Sequence, residues 1–303
     1  MDSPLAVPDQ PDWMACMRRG AFEEAWRISD AVLRTRAGVP CWHWPRHIQY
    51  VWDGSPLAGK RVLVRCYHGL GDTIQFLRYA PLIKAMAREV IVWAQPALLP
   101  LLRTMRGIDR LVPLHNGTPA VAYDVDVESM ELPYIFRTTL ATIPAEIPYL
   151  YATPAALRRC RRLAVGIVWA AGEWEHERRS LPYHCLAPLA ALPDVTLYIL
   201  QRGPALAQHG AAFGVLAGSE SIGATARTMR ALDLVVSVDS MPAHLAGALG
   251  VRVWTLLDAA ADWRWLHGRE DSPWYPTMRL FRQEQPGAWG PVMARVIAAL
   301  QGL

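Results

Sequence analysis

At 303 residues the chain is long enough for two domains of about 100–200 residues each, and 52% hydrophobic against 19% charged residues excludes a disordered tail and a highly charged coiled coil. Its 31 Lys and Arg against 27 Asp and Glu give a formal charge of +4, too slight and scattered for a nucleic-acid groove and better matched to an anionic small molecule. No apolar run reaches the roughly 18 residues of a membrane span, and MDSPLAVPDQPDWM has neither the basic nor the apolar region of a secretory leader, so a cytoplasmic protein without a transmembrane segment is expected.

Residues 1–58 carry short helical patterns. In PDWMACMRRGAFEEAWRISDAVLRTRAG, the residues Met14, Met17, Phe22, Ala25, Trp26, Ile28, Val32 and Leu33 recur at spacings near three and four, a helical hairpin turning at Gly20. It looks like one unit of a tetratricopeptide repeat, and because stable arrays need about three units a solenoid is excluded. The hairpin is read as a short N-terminal cap over apolar surface, with a docking platform as the alternative. The cysteines Cys16, Cys41, Cys66, Cys160 and Cys185 are odd in number with no CxxC pair, which predicts packing in a reducing compartment rather than disulfides or zinc.

From Lys60 strands and helices alternate. Strands are predicted at 61–67, 89–95, 110–113 and 122–127, with a helix from about Asp72 to Ala87 and another from Pro96. The segment 143–157, with Pro144, Pro148 and Pro154, reads as a connector. Strands then restart at 163–170, 195–201, 233–238 and 252–257, and a helix over 287–301 closes the chain. This predicts an α/β protein of two Rossmann-like domains, 59–152 and 153–303, facing each other across a cleft. The closing helix is expected either to stay with the second domain or to pack back on the first.

Four stretches carry candidate chemistry. In YHGLGD (67–72), Gly69 and Gly71 allow a tight turn and close approach of a ligand, and Asp72 is either a helix N-cap or a general base. The stretch has neither GxGxxG nor a P-loop lysine. DLVVSVDSMPAHLAGALG (233–250) places Asp239, Ser240, Met241 and Pro242 where a helix follows a buried strand, a natural diphosphate seat, and His244 is a phosphate donor or a core histidine. AAGEWEHERRSLP (170–182) is a solvated loop or a cleft loop in which Arg178 or Arg179 neutralises a leaving phosphate without metal. In DWRWLHGREDSPWYP (262–276), Trp263, Trp265, Trp274 and Tyr275 form a stacking wall or an interdomain seam, with Arg264 and Asp271 tying the loop together.

YHGLGDTIQFLRYAPL, RRSLP, LQRGP, VSVDSMPAHLAGALG and DWRWLHGREDSPWYPTMRLFRQ together resemble the heptosyltransferases of glycosyltransferase family 9, above all the bacterial branch in which that domain follows tetratricopeptide repeats. The resemblance runs from about Pro56 to the C-terminus. It implies a GT-B fold with an acceptor domain (59–152) and a nucleotide-sugar domain (153–303), and inverting, metal-independent transfer from a donor such as ADP-heptose to a glycan, protein or small-molecule acceptor. No cofactor, metal or nucleic acid is implied. Asp72 falls at the base, Arg179 beside the donor phosphates, and Asp239, Ser240, Met241 and His244 in the phosphate-binding turn and helix; His68, Gly69, Gly71, Gln201, Trp263, Arg264 and Trp265 are further cleft candidates. Ala171-Gly172-Glu173-Trp174 departs from the branch's Gly-Asn, and Pro242 stands where relatives keep an amide proton. The alternatives are a nucleotide-sugar-binding protein that no longer transfers and a nucleotide-sugar epimerase.

Overall fold

A computed structural model of the protein describes residues 12–35, 52–159, 161–210 and 213–303; Cys41 and Cys160 lie outside them. Two helices come first, α1 (Trp13–Arg18) and α2 (Phe22–Thr35). Asp12 caps α1 by accepting from the Met14 amide at 3.0 Å, and Gly20 turns the hairpin at φ +78°, a left-handed value that a side chain would strain. Then follow β1 (Arg61–Cys66), α3 (Leu70–Phe76), α4 (Ala80–Met86), β2 (Glu89–Ala94), α5 (Leu99–Leu102), β3 (Arg110–Pro113), β4 (Val125–Glu128) and α6 (Leu132–Ile135). After the proline-bearing stretch the alternation restarts with β5 (Leu163–Val168), α7 (His176–Arg179), α8 (Ala187–Ala190), β6 (Val195–Ile199), β7 (Val215–Leu216), α9 (Ile222–Met229), β8 (Leu234–Val238), α10 (Met241–Ala248), β9 (Val253–Leu257), β10 (Met278–Arg282) and α11 (Trp289–Gln301).

The strands form two all-parallel sheets, ordered β3-β2-β1-β4 and β10-β9-β8-β5-β6-β7. Val, Ile and Leu fill the central strands, which are buried along nearly their whole length because helices cover them. In each sheet the order reverses once, between β1 and β4 and between β5 and β8. Crevices for ligands open at such reversals, at the carboxyl ends of the strands.

Two expectations are corrected, and one of two alternatives for the closing helix is met. The helix predicted over 72–87 starts at Leu70 and is interrupted by a 3-10 turn at Leu77–Tyr79, since Pro81, the second residue of α4, has no N–H to continue the α ladder. β7 and β10 extend the second sheet beyond the four strands predicted there; β10 hides behind the aromatic run that precedes it. The closing helix packs on the second sheet alone: Trp289, Val292, Met293, Val296 and Leu300 join a core with Val165, Ile167, Leu197 and Val236. A second, continuous apolar core runs from α1 and α2 through the first sheet to α10, Trp265, Trp274 and Tyr275. Cys16 and Cys66 are free and buried, as packing residues should be. No described helix is long and apolar enough to cross a membrane.

Candidate active site at the sheet reversals

β1 delivers Tyr67, His68 and Gly69 to the first reversal, and Gly69 is the N-cap of α3. Asp72 is therefore not the cap itself but the third helical residue, and its Oδ2 accepts from the Gly69 amide at 2.9 Å. Its Oδ1 accepts from Arg264 Nη1 at 2.7 Å, across 192 residues of sequence. Burial alone would raise the Asp72 pKa, but the Arg264 guanidinium outweighs it and holds the carboxyl below the usual range. Beside it, His68 Nε2 lies 3.4 Å from Oε1 of Glu128, the buried last residue of β4. Burial disfavours the charged imidazole, yet Glu128 more than compensates and the His68 pKa is raised.

The second reversal faces this pair through the start of α10. Gly71 is what lets α3 and α10 meet: a Cβ there would lie 2.8 Å from His244 Cδ2. His244 is fully packed, stacked on Trp265 with ring centroids 5.3 Å apart and hydrogen-bonded through Nδ1 to the Tyr275 hydroxyl at 3.0 Å. Burial, followed by the positive field of Arg264, pushes its pKa well below the ordinary value, so the ring is neutral. Under α3 the buried Arg78 donates to Tyr149 Oη at 3.1 Å and to the Trp274 carbonyl, and its guanidinium sits 4.4 Å from the Tyr275 ring centre. These contacts lock the loop 262–276 to the first half of the molecule.

Ser240, the N-cap of α10, turns its hydroxyl back to the Val238 carbonyl at 3.2 Å instead of capping, so it leaves the first-turn amides of the helix to another partner. Arg179, at the end of α7, donates Nε to the Asp239 carbonyl at 3.0 Å and a second N–H to the same oxygen, with Nη1 on the Trp174 carbonyl at 3.2 Å. The Trp174 ring covers its guanidinium at 5.1 Å and is 61% exposed. Asp239 is buried, which raises its pKa against the opposing pull of Arg179. Arg178 is engaged differently, pairing with Asp258 and Glu175 and donating to the Ala260 carbonyl at 2.7 Å.

Asp72, His68, Gly69, Gly71, Arg264 and His244 thus converge, and Arg179, Asp239, Ser240 and Met241 stand at the adjoining helix start. Gln201 does something else: its Oε1 accepts from the amides of Trp169 and Ala170 at 3.0 and 2.9 Å, ending β5 where a longer strand is predicted. Trp263, Trp265, Trp274 and Tyr275 are buried, which makes the aromatic run a seam and not an open stacking wall. Arg264 ties its own loop through Asp262, at 2.8 Å, whereas Asp271 pairs with Arg269. Sequence reasoning missed Glu128, Gln75 and Arg78. Gln75 and Arg78 lie within GLGDTIQFLRYAPL, but their partners are 189 and 196 residues away. Among the described residues no group of three or more His, Cys, Asp or Glu side chains is arranged for a metal ion.

Known structures share this architecture. A glycosyl transferase family 9 protein from Veillonella parvula DSM 2008 superposes with a TM-score of 0.59 over 82% of this chain and 98% of its own, at 11% identity. The fold is that of glycosyltransferase family 9. E. coli ADP-heptose lps heptosyltransferase II superposes with a TM-score of 0.53 over 80% of this chain and 99% of its own, at 15% identity. In sequence, Protein FlbA of Caulobacter vibrioides is 27% identical over 292 residues, covering 82% of this chain; the chain spans 48% of FlbA. No family model matches the chain.

Proposed function

We propose that the protein is a cytoplasmic, GT-B, inverting glycosyltransferase that moves a sugar, heptose or a related one, from a nucleotide-diphospho-sugar to an acceptor hydroxyl without a metal. The observation that carries this reading is the contact between the two reversals, where Asp72 in the first turn of α3 faces the first turn of α10 across the Gly71–His244 approach. The E. coli neighbour's ADP-heptose makes ADP-heptose the first donor to try. In the reaction, Asp72 takes the acceptor's O–H proton, the acceptor oxygen bonds to the anomeric carbon, and the anomeric carbon–oxygen bond breaks with its electron pair leaving on the diphosphate. The α10 amides, its positive dipole end and Arg179 offset that developing charge in place of a cation. Residues 59–152 would carry the acceptor and 153–303 the donor.

One observation favours a second reading, a nucleotide-sugar-binding protein without transfer: both Asp72 oxygens are already occupied and the carboxylate is a weak base in this state. Release of nucleoside diphosphate from a panel of donors, with and without acceptors, separates the two. A transferase shows acceptor-dependent release that survives excess EDTA and falls by roughly 10²–10⁴-fold in Asp72→Asn. Binding without release leaves the second reading; release that collapses on chelation and returns with Mg²⁺ overturns metal independence.

A further inference from the structure

Arg264 is buried, yet its guanidinium is not used up. Nε donates to Asp262 at 2.8 Å, and Nη1 donates to Asp72 at 2.7 Å and to Gln75 Oε1 at 3.0 Å. Among the described residues Nη2 makes no hydrogen bond, and it is not completely enclosed although the side chain is only 8% exposed. Gln75, fully buried next to it, has an unpartnered Nε2. A guanidinium presents its donors in one rigid plane, so a group seated on Nη2 is held in fixed geometry to the carboxylate on Nη1. Asp72, Asp262 and Asp239 all act on Arg264. Asp72 itself is faced by Arg264 from the loop, by His68 from its own sheet and by His244 from α10.

We infer that Arg264 is the positioning residue that couples donor to base, holding Asp72 on Nη1 and an oxygen of the donor's diphosphate on Nη2. The inference rests on the glycosyltransferase reading of the site. Its physical content is competition for one positive charge. An anion on Nη2 draws the guanidinium's field away from Asp72 and strengthens Asp72 as a proton acceptor, so the base becomes competent only when a donor is present. By reciprocity, neutralising Asp72 leaves more of Arg264 to the diphosphate.

Calorimetric titration with ADP of the parent chain, Asp72→Asn, Arg264→Lys and the double variant tests this, with thermal unfolding as a check on folding. The parent binds, Arg264→Lys binds about 10-fold or more weakly, and Asp72→Asn binds about 3–10-fold more tightly, a gain that disappears in the double variant. A merely structural Arg264 gives no such coupling. Parent-like affinity in Arg264→Lys, or an equal gain from Asp72→Asn in both backgrounds, overturns the inference. If Arg264→Lys does not fold, unchanged ADP affinity in Asp72→Asn overturns it alone. Parent chain that binds neither ADP nor UDP nor GDP refutes the site reading itself, a different outcome from any of these. Where transfer is measurable, Arg264→Met moves the acid limb of kcat/KM up by about one to three pH units, and an unmoved limb refutes the coupling.

Discussion

Gly71→Ala separates the contact that builds the site from everything else a glycine does. Gly71 is the second residue of α3, and Gly223 is the second residue of α9, so alanine gains the same helix propensity at both, about 0.4–1 kcal/mol. Around Gly223 the nearest atom to a new Cβ is Ser221 Oγ at 3.7 Å, an ordinary contact. Around Gly71 it is His244 Cδ2 at 2.8 Å, with Met241 Cα at 3.5 Å behind it. Since carbon atoms settle at about 3.5–4.0 Å, the imidazole would have to retreat by roughly 0.7 Å or more. It has nowhere to go, because Trp265 stacks on one face and Tyr275 fixes Nδ1. Overpacking of that kind costs about 1–3 kcal/mol. Urea unfolding followed by tryptophan fluorescence should therefore show Gly223→Ala more stable than the parent and Gly71→Ala less stable than Gly223→Ala by about 1–3 kcal/mol. If the two differ by less than about 0.5 kcal/mol, α3 and α10 do not approach as described.

Arg179→Ala should weaken ADP binding by about 1.5–3 kcal/mol, the scale of a hydrogen bond to a charged group, and an unchanged affinity by calorimetry removes Arg179 from the donor site. Pro242→Val restores an amide in the first turn of α10 and should tighten ADP binding by up to about 1.5 kcal/mol, less the lost rigidity of proline; unchanged or weaker binding with the fold intact means this amide does not point at phosphate. Glu131 is buried, which pushes its carboxyl up to about 8, so the folded protein holds a proton there that the unfolded chain has released. Its contribution to stability is fully present below the ordinary glutamate pKa of about 4.3 and is lost as the pH rises through about 8, whereas Glu131→Gln should not lose it. Equal pH dependence of the unfolding midpoints of parent and variant between pH 5 and about 9 would refute that assignment.

How much of this was legible in the sequence depends on how far apart the causes lie. RVLVRC, EVIVWA, LAVGIV and LVVSV announce buried parallel strands by composition alone, because helices cover both faces. β10 does not, since MRLFR alternates with charges and follows a tryptophan-rich loop that competes for attention. β7 is two exposed residues, Val215 and Leu216, held by a ladder to Tyr198 and Ile199 that leaves no local mark. Asp72 is visible as a carboxylate beside a helix start, but whether it caps, catalyses or pairs turns on Arg264, which no spacing rule connects to it. Glu128 is one of four acids in DVDVESME, and only the pairing of β1 with β4 sets it, rather than its neighbours, beside His68.

The N-terminal helices bear on the same site through packing. Trp13 and Phe22 meet the Trp263 ring edge-on at 5.9 and 6.3 Å, Phe76 of α3 stacks on it at 6.1 Å, and the His267 amide donates to the Arg18 carbonyl at 2.8 Å. On the other side of the same two helices, Trp26 donates to the Thr138 carbonyl at 2.7 Å, and Asp30 accepts from the Tyr134 hydroxyl at 2.6 Å. The hairpin therefore grips the loop 262–276 of the second half and the region after β4 of the first half at once. Arg264 is the residue next to Trp263 in that loop, and the rigidity of its fork is borrowed from this aromatic nest, since a long side chain positions its donors only as well as its backbone is held. A hinge opening the two sheets would have to break these contacts together with the Arg78 cage. If the chain takes the donor proposed above, movement of the short stretch Glu173–Glu175, whose Trp174 is exposed and whose Glu175 sits at φ 48°, would admit it without breaking these contacts or the ion pair of Arg178 with Asp258.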